Sequence, residues 1–300
     1  MRRFQAAAAA ALLLPYAAAL AFGGGFSGTA QMEQAESGKR VILSGTGRGY
    51  VDAEAYVAGL TAAQMPADFE KEALKAQAVI ARTWLYGQMG EADEIREEEL
   101  EDGGLYQEDG GTGLWKELWN SGAFTEEYTK IQEAVRETAG QALAWEGTWI
   151  RPLFHFASTG TTRAGGSSFP YLQAVKSRRD VEAEGYLTVT EWTPEEFESL
   201  AGVSWDQVQI VSRDGGGYAQ EVQLGSRAVT GDEACRLLGL PSPAFSLEEY
   251  EGKVRAVSQG LGHGYGLSQF GAGAMAREGY TAEEILGYYY PGAEIISSEP

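Results

Sequence analysis

The feature that most constrains the fold is a long helical pattern at residues 69–89, FEKEALKAQAVIARTWLYGQM. On a helical wheel its apolar side chains occupy more than one side of the helix. The two apolar faces consist of Leu74, Ala81 and Leu85, and of Ala73, Ile80 and Trp84. A helix that is apolar on two sides must be covered by other elements, so the pattern predicts a helix that is largely buried in the core.

A narrow cationic stripe runs along the same helix. Lys71, Lys75 and Arg82 fall within a sector of about 40° on the wheel. One interpretation is a solvated face whose charges pair with nearby acids such as Glu72, three residues before Lys75. The other is a clamp for a carboxylate or sulfate-like group on a ligand. The pattern alone leaves both interpretations open.

The amino terminus has the features of an export signal. Two arginines precede an apolar, alanine-rich run at residues 6–22, which is about long enough to span a bilayer but is interrupted by Pro15. We expect an exported protein, and we slightly favour a retained anchor over a cleaved signal. The predicted organisation is a signal peptide or membrane anchor at residues 1–23, a linker at 24–49 and a single folded domain at 50–300.

Charge and composition exclude several classes of function. The formal net charge of −20 repels polyanions, so we expect no nucleic-acid partner. Much of this charge comes from residues 91–113, which we predict to be a solvated acidic insertion. A single cysteine, Cys235, excludes an internal disulfide, and with two histidines a Cys/His zinc centre is not expected. No nucleotide-binding motif is present, and we expect no cofactor and no metal.

The remaining patterns favour an α+β fold. Capping signals predict helix starts at Asp52, Thr193 and Thr281, and alternating residues on both sides of a glycine turn predict a hairpin across residues 206–231. Two short apolar runs at 141–147 and 148–158 predict neighbouring strands. Because helices and strands come in blocks, a doubly wound parallel sheet is not favoured.

Two further segments carry candidate site residues. His155, Ser158 and Thr159 stand within four residues of one another at a predicted strand end, a frequent place for a functional site. His263 lies among glycines that alternate with larger residues, just before the helix predicted near Ser268. A histidine satisfied inside a half-buried strand explains His155 equally well, and a serine hydrolase built on Ser158 or Ser268 has only weak support.

Four blocks, in this order, resemble the signature blocks of the stage II sporulation protein D family, and together they span Val51 to Ile296. They are AYVAGLTAAQMPADFEKEALKAQAVIARTW, FHFASTGTT, YLQAVKSRRD and GLGHGYGLSQFGAGAMAREGYTAEEILGYYYPG. The acidic insertion is the main part of the folded chain without a counterpart.

The resemblance implies a membrane-anchored protein that faces the cell wall. The best-known members are lytic transglycosylases that cut peptidoglycan glycan strands during engulfment, with a preference for strands whose stem peptides a partner amidase has removed. The implied partners are these glycan strands and the stage II sporulation proteins P, the amidase, and M. The candidate substrate-binding residues are Lys75, Arg82, His155, Ser158, Thr159, His263, Ser268 and Gln269. Lys75 and Arg82 match the family pattern and are expected to grip the lactyl carboxylate of a stripped muramic acid or to orient the catalytic acid.

The chain departs from the family at one decisive position. The family pattern has Glu-Met-Pro, with the glutamate as the catalytic acid, where this chain has Gln64-Met65-Pro66. An amide does not titrate near neutral pH, so Gln64 cannot donate or accept the catalytic proton. Glu72, which also belongs to the family pattern, and Glu70 are candidate substitutes.

Three functions therefore stay open from the sequence. The first is a transglycosylase rescued by another carboxylate. The second is an inactive subunit that binds glycan strands or a partner amidase, and the third is a structural exported protein in which the blocks serve packing alone.

Overall fold

The computed structural model describes residues 37–43, 49–100 and 126–297. The predicted anchor at 1–23, much of the linker and residues 101–113 of the acidic insertion lie outside these ranges. Across the described part, seven α-helices and fourteen strands confirm the predicted α+β class. Within it, no helix is long and apolar enough to cross a bilayer.

Three of the predicted helix starts are confirmed. The Asp52 carboxylate accepts a hydrogen bond from the Glu54 backbone N–H at 2.8 Å, and Thr193 and Thr281 both form capping boxes. The helices are α1 (Ala53–Gln64), α2 (Lys71–Met89), α3 (Glu126–Glu137), α4 (Pro194–Ala201), α5 (Gly231–Leu238), α6 (Gln269–Arg277) and α7 (Ala282–Tyr289).

Helix α2 is the predicted buried helix. It packs against α1, α3, α6 and α7, and fourteen of its residues are buried. Four of them are alanines, which let neighbouring helices approach closely. This packing buries both apolar faces of the helix and confirms the prediction of a largely buried helix.

The strands form small sheets. They are β1 (Arg40–Ile42), β2 (Val51–Asp52), β3 (Glu94–Arg96), β4 (Gln141–Trp145), β5 (Thr148–Trp149), β6 (Phe154–His155), β7 (Leu187–Trp192), β8 (Val208–Arg213), β9 (Ala219–Leu224), β10 (Arg227–Thr230), β11 (Phe245–Tyr250), β12 (Lys253–Gln259), β13 (Leu267–Ser268) and β14 (Glu294–Ser297). The strand orders are β2–β1–β3, β10–β9–β8, β11–β12–β7, β13–β6 and β14–β4–β5. The predicted hairpin is the antiparallel pair β8–β9.

The described residues build two hydrophobic cores. The first core gathers α1, α2, α3, α6 and α7 with β1, β3 and β4. The second core gathers α4 and α5 with strands β7 to β12. The loop after β6 is tied to the β8–β9 turn, because the Thr159 hydroxyl donates to the Gly216 carbonyl oxygen at 2.7 Å and the Thr159 N–H to the Tyr218 hydroxyl at 3.0 Å.

Two segments have more structure than their composition predicts. Strand β1 lies within the predicted linker, and β3 lies within the predicted acidic loop; the two pair in parallel. These two strands form because the side chains of Val41 and Ile95 are buried against the first core. The folded chain thus includes residues before position 50. The second apolar run is not one strand but two short ones, β5 and β6, with Pro152 between them.

Candidate functional site

Gln64 is the last residue of α1, where the chain turns toward α2. The Met65 N–H still bonds to the Thr61 carbonyl oxygen, and the following residues lead into α2 so that Gln64 faces Gln77. Gln77 Nε2 donates to Gln64 Oε1 at 2.8 Å. The Gln64 side chain is therefore oriented by the amide of Gln77, a fully buried residue of the central helix.

Gln269, the first residue of α6, completes what we call the amide cluster, formed by Gln64, Gln77 and Gln269. Gln269 Nε2 donates to the Gln64 carbonyl oxygen at 2.7 Å and to Gln77 Oε1 at 3.2 Å. Because Gln77 Oε1 accepts from Gln269, the orientation of the Gln77 amide is fixed with Nε2 toward Gln64. Gln64 Oε1 therefore faces Gln77 Nε2. Gln64 Nε2 is then a buried donor without a hydrogen-bond partner among the described residues.

His155 is connected to the amide cluster by the pairing of two short strands. Strand β6 pairs in parallel with β13 so that His155 is opposite Ser268, the residue before Gln269. His155 Nδ1 lies 3.0 Å from the Tyr265 carbonyl oxygen, so Nδ1 carries the proton and Nε2 is an acceptor. Within the described chain Nε2 is buried without a partner. Burial lowers the pKa of His155 to about 3, which keeps the ring neutral.

His263 forms a histidine pair with His155, with ring centroids 5.9 Å apart. Its Nδ1 accepts a hydrogen bond from the Tyr265 N–H at 3.0 Å, and burial lowers its pKa to about 4. The neighbouring Gly262 has φ +99°, and a Cβ there would lie 2.9 Å from His155 Cβ. A glycine at position 262 thus lets the loop that carries His263 pass close to His155.

Ser158 and Ser268 belong to a second polar group centred on Asp180, which is fully buried. The Ser158 N–H donates to one Asp180 oxygen at 2.7 Å, and the Ser268 and Ser177 hydroxyls each donate to the other at 2.8 Å. Burial raises the pKa of Asp180 despite these bonds. These serines hold β6, β13 and the start of α6 together. Sequence reasoning missed Asp180, although it closes the third of the four blocks.

The cationic stripe is engaged inside the protein. Arg82 is fully buried, and its guanidinium pairs with both Glu54 carboxylate oxygens at 2.7 and 2.5 Å. It also donates to the carbonyl oxygens of Val135 and Gln141 at 3.1 Å. With Thr138 these residues form what we call the arginine cluster. The structure thus places Arg82 in the core and not at a surface where it could grip a ligand carboxylate.

The outer end of the stripe is ion-paired as well. Lys71 Nζ lies 2.6 Å from a Glu137 oxygen, and Lys75 Nζ lies 2.8 Å from Glu72 Oε1. The contacts therefore match the first interpretation, in which the stripe pairs with nearby acids. A contact between Lys75 and a ligand stays a prediction.

Glu72 has a structural partner of its own. Its Oε2 accepts a hydrogen bond from the Ala282 N–H at 2.7 Å, at the amino end of α7. An acid placed there stabilises the positive end of the helix dipole. With one oxygen on Lys75 and the other on α7, Glu72 has no hydrogen bond to Gln64 in the described structure.

Comparison with known proteins gives the family. A family model described as "Stage II sporulation protein" matches residues 47–145. Stage II sporulation protein D from Bacillus subtilis (strain 168) is 31% identical over 82% of this chain and 75% of its own length, and the Bacillus amyloliquefaciens protein of the same name is 33% identical over 82% and 74%. This chain belongs to the stage II sporulation protein D family. An amidase enhancer from Bacillus subtilis (strain 168) is 27% identical over 80% of this chain and 40% of its own length.

The amide cluster and the histidine pair form a neutral, buried polar group. Within the described residues two of its atoms have no hydrogen-bond partner, the donor Gln64 Nε2 and the acceptor His155 Nε2. Among the described residues, no group of three or more His, Cys, Asp or Glu side chains could hold a metal ion. The arrangement suits hydroxyl and acetamido groups better than a charged ligand.

Proposed function

We propose that this chain binds peptide-stripped glycan strands of peptidoglycan in cell-wall remodelling during sporulation, and that it does not cleave them. The observation that carries the proposal is the amide cluster. A transglycosylase needs one carboxyl group that first protonates the glycosidic oxygen and then accepts the proton of the attacking hydroxyl. Gln64 holds the position of that group with a neutral amide, and both of its hydrogen-bonding neighbours are amides too.

Three carboxylates of the described residues that could take over the proton transfer are engaged or placed elsewhere. Glu72 is held by Lys75 and α7, and Glu70 is exposed at the start of α2. Asp180 has the raised pKa that suits an acid, but it is fully buried and fixed by three serines. These placements favour a binding protein over a rescued enzyme.

Glycan binding is supported by the chemistry of the free groups. N-acetylated sugars present hydroxyl and amide groups that both donate and accept hydrogen bonds, which matches Gln64 Nε2 and His155 Nε2. The unpaired positions would recover hydrogen bonds on binding. An exported chain, anchored through residues 1–23 and facing the cell wall, would meet this ligand.

The first experiment compares the full chain with a Gln64→Glu variant on glycan strands whose stem peptides have been removed. We expect the unaltered chain to bind the strands without releasing 1,6-anhydromuramic products in mass spectrometry. The variant restores a carboxyl group at a site that the Gln77 amide already orients, so we expect its cleavage rate to exceed that of the unaltered chain by about 10²- to 10⁴-fold.

A matched control is Gln209→Glu, the same change at an exposed residue of β8. It should release no products. Products from the unaltered chain would contradict the proposal and would show that another carboxylate acts as the acid. A full chain that binds no glycan strand at all would overturn the proposal and leave the amidase-related and structural functions.

A second candidate function is support of a cell-wall amidase, favoured by the similarity to the amidase enhancer. It is tested by adding the chain to sacculi together with a sporulation amidase and measuring the release of stem peptides. A higher rate with the chain than with the amidase alone would support this function. An equal rate would exclude it.

A further inference from the structure

A cavity of about 300 Å³ lies beside the β4–β5 hairpin, outside the amide cluster. This volume is at the lower end of the range for small-ligand sites. Two tryptophans, a tyrosine and three polar residues contribute to its lining: Trp145, Trp149, Tyr171, Glu146, Thr148 and Arg151. A cleft with aromatic walls and a polar rim is the composition expected of a saccharide subsite.

The hairpin presents its tryptophans in fixed positions. Glu146 and Gly147 both have positive φ angles, 49° and 76°, which gives the tight two-residue turn between β4 and β5. The Trp145 ring packs on Tyr171 with centroids 6.4 Å apart, and the Trp149 ring packs on Tyr86 at 6.0 Å. Both indoles are only partly buried, so each keeps accessible surface.

An unbroken series of ring contacts joins this cavity to the histidine pair. Phe169 lies between Tyr171 and Tyr265, with centroid distances of 6.2 and 6.1 Å. Tyr265 then contacts His263 at 5.8 Å. Phe169, Tyr265 and His263 are all partly exposed. A row of contacting aromatic side chains, of which Tyr171 is buried, thus connects the cavity with the candidate site.

Arg151 adds charge to the cavity. The backbone N–H of Arg151 donates to the Tyr171 hydroxyl at 3.1 Å, and this hydroxyl donates to the backbone carbonyl oxygen of Arg151 at 2.9 Å. The exposed guanidinium is also close enough to His263 for its charge to contribute to the lowered pKa of that ring. It is a cation in the lining of the cavity, on a protein whose net charge is −20.

We propose that the hairpin cavity is a second saccharide subsite for the same glycan strand that the amide cluster binds. This inference rests on the proposed function. The Trp145 and Trp149 rings would stack on sugar faces, and the Arg151 guanidinium would pair with the lactyl carboxylate of a muramic acid that has lost its peptide. A strand long enough to reach both subsites would bind more tightly than a short one.

The test uses the full chain and peptide-free glycan strands separated by length, with a peptide-free disaccharide as the short probe. We expect Trp149→Ala to weaken binding of long strands about five- to tenfold and to change disaccharide binding less than twofold. Arg151→Gln, which leaves the aromatic packing intact, should weaken long-strand binding about threefold or more. Trp205→Ala, at a partly buried tryptophan of the second core, is the matched control and should change neither.

The outcomes separate this inference from the proposed function. A loss of affinity that depends on strand length, with far-ultraviolet circular dichroism and the urea unfolding midpoint close to those of the unaltered chain, supports the subsite. If Trp149→Ala and Arg151→Gln bind long strands like the unaltered chain while Gln269→Ala weakens strands of every length, the subsite is overturned and the proposed function stands. If the unaltered chain binds no strand, both fail.

Discussion

The arginine cluster and the amide cluster are both polar groups on helix α2, yet they differ in how their hydrogen bonds are satisfied. In the arginine cluster the Arg82 guanidinium meets a carboxylate, a hydroxyl and two carbonyl oxygens. In the amide cluster and the adjacent histidine pair, Gln64 Nε2 and His155 Nε2 are buried without a partner in the described structure. The first group has its hydrogen bonds satisfied within the described chain, whereas the second keeps one donor and one acceptor unpaired.

This difference indicates which of the two polar groups stabilises the fold and which is the candidate binding site. A buried guanidinium with matched partners stabilises the core, and its removal leaves a carboxylate in an apolar surrounding. Unmatched buried neutral groups cost free energy, and one reason that proteins retain them is function. The binding site is therefore expected at the amides and histidines and not at the arginine, although the arginine is the more conspicuous residue in the sequence.

The largest effect should follow Arg82→Gln. We expect the free energy of unfolding to fall by about 3–5 kcal/mol, because Glu54 is left buried without its ion pair. Urea unfolding followed by circular dichroism measures the change. The double variant Glu54→Leu/Arg82→Met, which removes both charges, should recover much of the loss.

The opposite result would restore the prediction from the sequence. If Arg82→Gln keeps its stability and loses glycan binding, then the guanidinium contacts the ligand and the distinction between the two clusters is wrong.

The histidine pair should make stability depend on pH. Both folded-state pKa values are lowered, to about 3 and about 4, from an ordinary value of 6.5. The unfolded chain therefore binds protons that the folded chain does not as the pH falls below about 6.5, so the stability present above that pH is lost toward acid. Between pH 7.5 and 5.5 we expect a loss of roughly 1.4 kcal/mol for each histidine.

The control for this prediction is His263→Gln, which should remove about half of the pH dependence in that interval. Most carboxylates have ordinary pKa values below it and contribute little. A pH profile identical in the variant and the unaltered chain would show that His263 titrates normally when folded and is not shielded from water.

Much of the local structure could be predicted from the sequence because it depends on short-range rules. The caps at Asp52, Thr193 and Thr281 and the burial of α2 follow from residue type and spacing. The β1–β3 pairing could not, because a parallel contact between residues more than fifty positions apart leaves no periodic signal in either segment.

The site was predictable only in part for the same reason. The four blocks identified Gln64, His155, His263 and Gln269, which the fold does bring together. Gln77 was not singled out, although it joins the two other amides, because a glutamine within an apolar helix face carries no motif. Whether Arg82 faced solvent or Glu54 depended on where α1 packs, which helical periodicity alone does not determine.

The smallest effect tests the outer end of the stripe. Lys75→Gln breaks an ion pair with Glu72 near the surface, so we expect a stability change below about 0.5 kcal/mol. Glu72→Gln should cost somewhat more, about 1 kcal/mol, because it also removes a negative charge from the amino end of α7. If Lys75→Gln weakens binding of peptide-free glycan strands without a change in stability, the contact between Lys75 and a muramic acid carboxylate gains support. If binding is unchanged, Lys75 serves the fold as Arg82 does, and glycan recognition does not depend on either of these two cations.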